Sequence, residues 1–118
     1  MKEKYSYRNR DLMRIESKEI VQAFLAKKSK HAARTHTDGN SLFLFGNRIA
    51  WWDGPAICMT LCGHPSMTTR DRLNTLCFLY AGVKPWSQRK RVPTYNDEEI
   101  GDTEIVRLEK ISLQDITV

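Results

Sequence analysis

An α+β fold is what this sequence predicts: a three- to four-stranded antiparallel meander packed with two helices. Three observations predict it. Ser41–Tyr80 holds three short strand-like runs separated by glycine-containing turns, followed by one amphipathic helical stretch. A second helical stripe lies upstream, over Ser17–Lys28. Downstream, Thr103–Glu109 reads as one more strand, with Val106 and Leu108 on one side, able to join the sheet.

The elements follow in order. Residues 1–14 are polar, with Tyr5 and Tyr7 alternating, and read as an edge strand or an arm. Ser17 is placed to cap a helix whose apolar stripe is Ile20, Val21, Phe24 and Leu25. Lys27, Lys28 and Lys30 fall at or past its end, where cations suit the helix dipole. With Arg34 they are also placed to extend a phosphate-contacting surface. His31–Gly39 reads as a loop into the first strand.

The first two strands are Ser41–Phe45 and Arg48–Trp52, separated by Gly46–Asn47, a two-residue hairpin signal. That turn sets Leu44 opposite Ile49 and Leu42 opposite Trp51. Asp53–Gly54–Pro55 makes the next turn. A two-residue Asp–Gly loop sets Ala50 against Ile57. A three-residue loop sets Trp51 against Ile57 and Ile49 against Met59, and gives one consistent apolar face: Leu42, Leu44, Ile49, Trp51, Ile57, Met59 and Leu61. The three-residue loop is the expectation. The other face then carries Phe43, Phe45, Arg48, Ala50, Trp52, Cys58, Thr60 and Cys62. It is either covered by a helix or an open stacking platform.

In the helix that follows, Leu73, Leu76, Cys77 and Tyr80 recur at helical spacing. Thr68 or Thr69 is placed as its N-cap and Gly82 as its stop. Arg70 and Asn74 share a different face. Beyond it, Lys84–Pro93 reads as a basic loop with two prolines and one tryptophan. Trp86 beside Arg89, Lys90 and Arg91 combines a stacking group with charge, as single-strand grooves do. Trp86 closing the edge of the core is the equal alternative. Ile111, Leu113, Ile116 and Val118 make the C-terminal end apolar enough to dock on the body or on another chain.

Composition bounds the class. The 118 residues suit a single domain, with a basic core at 16–95 and an acidic tail at 96–118. Hydrophobic residues make up 41%, adequate for a core, and mean hydropathy is −0.52. No apolar run approaches the roughly 18–20 residues of a membrane span, and residues 1–5 lack a signal-peptide core. Three cysteines do not make a disulfide framework. The expected setting is cytoplasmic, with reduced thiols. The net charge of +5 is uneven: from Asn96 onward seven acids face two bases, a net of −5, so residues 1–95 carry +10. A basic body suggests a polyanionic partner, DNA or RNA. The acidic tail either competes with that partner or folds back.

No motif names a reaction, and no enzyme is expected. Cys58, Cys62, His64 and Cys77 invite a zinc site. Cys58 and Cys62 in one strand, however, stand about 13 Å apart at ~3.3 Å per residue, too far for one ion with bonds near 2 Å. No metal and no cofactor are expected. The sharper candidate is Met67–Arg72. Thr68, Thr69, Arg70 and Arg72 gather hydroxyls, cations and free N–H groups at a helix N-terminus, an anion site for a nucleic-acid phosphate. Thr68 with Asp71 as a plain capping box is the alternative. The candidate nucleic-acid-binding residues are therefore Thr68, Thr69, Arg70, Arg72, Lys84, Trp86, Arg89, Lys90 and Arg91.

About forty residues carry a resemblance. Gly46-Asn47-x-Ile49-Ala50, an aromatic strand end, a glycine turn, a third strand, Gly63, then Thr68-Thr69-Arg70-x-Arg72-Leu73-Asn74 resemble a group of small tailed-bacteriophage accessory proteins. The resemblance implies a phage or prophage protein acting in the cytoplasm of a bacterial host. It implies structural roles for Gly46, Leu73 and Asn74. Small phage proteins of this sort often bind nucleic acid or block host machinery. Two functions are therefore expected: nucleic-acid binding through the basic surface, or inhibition of a host or defence complex by protein–protein binding, including an anti-CRISPR role. A homodimer through Phe43, Phe45 and Trp52 is a third.

Overall fold

The computed structural model describes residues 16–109. The expected N-terminal arm or edge strand and the apolar positions Ile111 to Val118 lie outside the described residues. The fold class is α+β. Helix α1 covers residues 16–25 of the described chain. Then come β1 (Ser29–His31), β2 (Thr35–Asp38), β3 (Ser41–Leu44), β4 (Asn47–Asp53) and β5 (Ala56–Met59). Helix α2 (Met67–Ala81) leads to β6 (Trp86–Arg89), β7 (Val92–Tyr95), β8 (Glu98–Glu99) and β9 (Val106–Leu108).

The main sheet has six strands, not three or four, in the order β1-β2-β3-β4-β5-β9, all antiparallel. As expected, the downstream strand joins it, with Val106 opposite Met59 and Leu108 opposite Ile57. The two extra strands occupy what read as a loop. Their inward positions on β2 are threonines, not aliphatics, so no apolar alternation announces them. Thr35 and Thr37 are fully buried. Burial of a hydroxyl needs a partner, and both have one. Thr35 Oγ1 accepts from Arg72 Nε at 3.0 Å. Thr37 Oγ1 donates to Ser41 O at 2.6 Å and accepts from Gly39 N–H at 3.0 Å.

The hairpin registers also differ from expectation. The β3–β4 turn is Phe45–Gly46, one residue early, with φ of 51° and 79°. Positive φ at both central residues matches the twist of the flanking strands. Leu44 is opposite Asn47 and Leu42 opposite Ala50, with Ile49 as the extra residue of a bulge. A bulge leaves two neighbours on one side, so Ile49 and Ala50 are both buried. The β4–β5 turn is Gly54–Pro55, with Trp52 opposite Ile57 and Ala50 opposite Met59. Trp52 therefore points inward and Trp51 outward, the reverse of the expected faces.

Both helices cover the inner face, side by side. Trp52 stacks on Phe24 of α1 (5.5 Å between centroids) and meets Tyr80 of α2 edge-on at 5.7 Å. Its Nε1–H donates to Phe24 O at 3.0 Å. Ser17 Oγ donates to Thr75 Oγ1 at 3.2 Å, joining the helices. In α2, Leu73, Leu76 and Cys77 are buried as the spacing predicts. Its N-cap is Ser66, not Thr68 or Thr69. Pro65 stops extension and Ser66 Oγ accepts from Thr69 N–H at 3.2 Å. Gly82, at φ 73°, ends the helix as expected.

Candidate nucleic-acid interface

The basic stretch after α2 is a hairpin, not a loop. Strands β6 and β7 pair from Trp86 opposite Tyr95 to Arg89 opposite Val92, and β8 adds a short third strand beside Thr94 and Tyr95. The hairpin is fastened at its base. Asn74 of α2 bonds the Trp86 backbone twice: Nδ2–H donates to Trp86 O at 2.8 Å, and Trp86 N–H donates to Asn74 Oδ1 at 2.9 Å. The Trp86 ring is 2% exposed and touches Tyr95 edge-on at 5.0 Å. Trp86 is thus the anchor of the hairpin and not a stacking surface. A buried indole has no face for a base.

At the other end lie the cations. Lys90 and Arg91 are the two turn residues, with φ of 52° and 68°. Arg89 precedes them, and all three are exposed. The left-handed region costs a residue with a Cβ roughly 1–2 kcal/mol, which is why such turns favour Asn–Gly. Here two long cations hold those positions. The ion pairs of the described residues all involve Arg72 or Arg107, so none neutralises Arg89, Lys90 or Arg91.

The other expected site residues divide. Arg70 lies across a recess from the hairpin, shared with Asn74, Trp86, Ser87 and Gln88. Its Nη1 donates to Pro65 O at 3.1 Å. Thr69 is buried, and its hydroxyl lies 3.0 Å from Ser66 Oγ. Thr68 is half-buried on the first turn of α2. Lys84 places Nζ 5.1 Å over the exposed ring of Phe78. Arg72 is a correction: it is wholly buried. Besides Thr35, its guanidinium meets Asp71 Oδ2 at 3.0 Å and Glu16 Oε1 at 3.8 Å. It joins α2 to α1 and β2 and cannot touch a phosphate. Of the upstream lysines, Lys27 lies 4.8 Å over the Trp52 ring, closing the core.

Among the described residues, no helix covers the outer face of the main sheet. Its rings engage one another rather than lying side by side. His31, His36 and Phe43 stand in a cross-strand stack, with centroids 4.8 and 4.6 Å apart and planes within 2° and 9° of parallel. Arg48 lies 4.2 Å over Trp51. His36 is sandwiched between His31 and Phe43, and Trp51 is covered on one face by a guanidinium, contacts that tie strands together.

The thiols carry no site geometry. Burial pushes the Cys77 thiol up to about 12, an effect the Trp86 indole partly offsets. Among the described residues, no group of three or more His, Cys, Asp or Glu side chains is disposed to hold a metal ion. No described helix is long and apolar enough to cross a membrane.

A hairpin lay within reach of the sequence. Trp-Ser-Gln-Arg and Val-Pro-Thr-Tyr flank a two-residue gap, but the gap holds Lys–Arg where glycine or asparagine normally marks a turn. The family model described as Kyanoviridae Gp96 protein matches residues 13–108. No curated protein and no solved structure matches the chain.

Proposed function

We propose that this chain, which belongs to the Kyanoviridae Gp96 family of tailed-phage proteins, is a non-enzymatic nucleic-acid-binding protein. One observation carries the reading. An anchored hairpin holds Arg89, Lys90 and Arg91 exposed, without an ion pair among the described residues, and with Lys90 and Arg91 in a backbone conformation that other residues fill more cheaply. A turn selected for stability alone would hold Asn–Gly. Strain retained at two adjacent cations points to a use for those cations. The use that fits is phosphate contact, which displaces counterions and makes binding fall with salt. Arg70, across the recess from Ser87 and Gln88, extends the same surface.

The test is electrophoretic mobility shift of the full chain with single- and double-stranded DNA and RNA at two salt concentrations. Beside it runs the double variant Lys90→Asn/Arg91→Gly, which keeps the turn and removes the charge. The wild type is expected to shift nucleic acid at low salt and to weaken steeply with salt. The variant should bind more weakly, with a salt slope shallower by about 0.9 per lost duplex phosphate contact. Unchanged binding by the variant refutes the site. Absence of any shift refutes the function, and inhibition of a host or defence complex by protein contact is then the reading to pursue.

A further inference from the structure

We infer that the β6–β7 hairpin enters the major groove of B-form duplex DNA. This rests on the nucleic-acid reading above and names the form of nucleic acid. The first support is shape. Strand β8 pairs only with Thr94 and Tyr95. One more backbone bond, Ile100 N–H to Pro93 O at 3.0 Å, ties the next pair, and from Arg89 to Val92 the hairpin is a bare two-stranded ribbon. From Pro93 to the turn it reaches about 7 Å at ~3.4 Å per residue, before the side chains of Lys90 and Arg91 extend it, with its two backbones about 4.8 Å apart. The B-DNA major groove is about 12 Å wide and 8.5 Å deep, which admits a two-stranded ribbon. The minor groove, about 6 Å wide, does not. A-form RNA has a major groove too deep and narrow for side chains to read.

The second support is the order of chemistry along the ribbon. Lys90 and Arg91 at the tip reach the groove floor, where a guanidinium or ammonium pairs with guanine O6 and N7. Gln88, exposed two pairs back, has the donor and acceptor that match adenine. Charge then fixes the side on which the backbone lies. Glu98 and Glu99 flank β7 on one side and repel phosphate. Arg70 stands across the recess on the β6 side and attracts it, while Asp71 in the same recess is paired with Arg72. The alternative, a platform of rings stacking on unpaired bases, finds less support among the described residues: Trp86 is buried, and His31, His36 and Phe43 stack on each other.

The experiment is fluorescence anisotropy of the full chain with four probes of one sequence: duplex DNA, single-stranded DNA, duplex RNA, and duplex DNA carrying bulky 5-substituted pyrimidines that fill the major groove. Netropsin, which occupies the minor groove, serves as competitor. Plain duplex DNA should bind at least about tenfold more tightly than the other three, a difference of about 1.4 kcal/mol, and netropsin should not compete. Equal or tighter binding of single strands or duplex RNA, tolerance of the 5-substituents, or displacement by netropsin overturns the groove assignment and leaves nucleic-acid binding standing. Failure of all four probes to bind removes both.

Discussion

Replacing Arg72 with methionine separates two roles for that residue. Methionine keeps most of the apolar stem and deletes the guanidinium. Thr35, fully buried, then loses its donor. An unsatisfied buried hydroxyl costs about 1–3 kcal/mol. Glu16, with a side chain only 13% exposed, loses the cation 3.8 Å away. Asp71, 46% exposed, loses a pair worth little in solvent, about 0–1 kcal/mol. Part of this is returned, because a buried guanidinium carries its own desolvation penalty and Nη2 has no hydrogen bond. The net expectation is a loss of about 3 kcal/mol, or a fall in Tm of about 10–15 °C for a domain of this size.

Urea unfolding of the wild type and Arg72→Met, followed by tryptophan fluorescence, measures it. The midpoint should fall with the slope unchanged. Nucleic-acid affinity, measured at a temperature where both are folded, should be the same. The opposite pattern, an unchanged midpoint with lost affinity, would show that Arg72 contacts phosphate and that the buried junction of α1, α2 and β2 is misassigned.

Other expectations follow from single residues. At Gly39, φ is +92° and an added Cβ would lie 2.8 Å from Lys27 O; Gly39→Ala should destabilise by more than about 1 kcal/mol in the same urea assay. The raised Cys77 pKa, about 12, implies that native Cys77 resists an aromatic disulfide reagent at mildly alkaline pH while half-buried Cys62 reacts, and that urea releases the Cys77 signal. Because its folded pKa lies above the unfolded one, this thiol's contribution to stability is full below the unfolded pKa and is lost as pH rises through the folded one, so alkaline urea melts should move to lower midpoints. The Asp38 carboxylate is held below its usual 3.8 by the N–H groups of Ser41 and Asn40. Its contribution is present above the unfolded pKa and lost as pH falls through the lower folded one, and an NMR titration midpoint at or above 3.8 would contradict the β2–β3 turn geometry.

What was legible in the chain was what apolar periodicity encodes. Leu73, Leu76 and Cys77 mark α2, Gly82 marks its end, and Val106 with Leu108 mark the last strand of the main sheet. What was not legible was written in polar residues. Strand β1 is exposed along its length, and β2 turns Thr35 and Thr37 inward; the Thr35 hydroxyl is satisfied by Arg72, 37 residues away, and that of Thr37 by Ser41 and Gly39 in the following turn. Register failed at Phe45, which accepts a left-handed φ usually left to glycine or asparagine, and at the Ile49 bulge. Arg72 carried a usable signal. It lies three residues after Thr69 and four before Leu76, on the stripe that α2 buries. Position on the helix outweighed residue type.

The distribution of cations gives this its functional weight. The fold uses some of its basic residues for cohesion. Arg72 bridges three elements, Arg107 bonds Asp53 and Glu109, Arg48 covers Trp51 and Lys27 covers Trp52. Each has its charge neutralised by a carboxylate or held against a ring. At the hairpin tip neither condition is met among the described residues, and the backbone is strained as well. Folding alone gains nothing from that arrangement, since mutually close cations repel and Asn–Gly would close the turn with less strain. Lys90→Asn/Arg91→Gly should therefore raise stability, by about 1–2 kcal/mol per relieved position at most, while it lowers nucleic-acid affinity. A double variant that is both less stable and equally able to bind would show that the tip serves the fold. The opposite signs of the two effects are the signature of a surface kept for a partner.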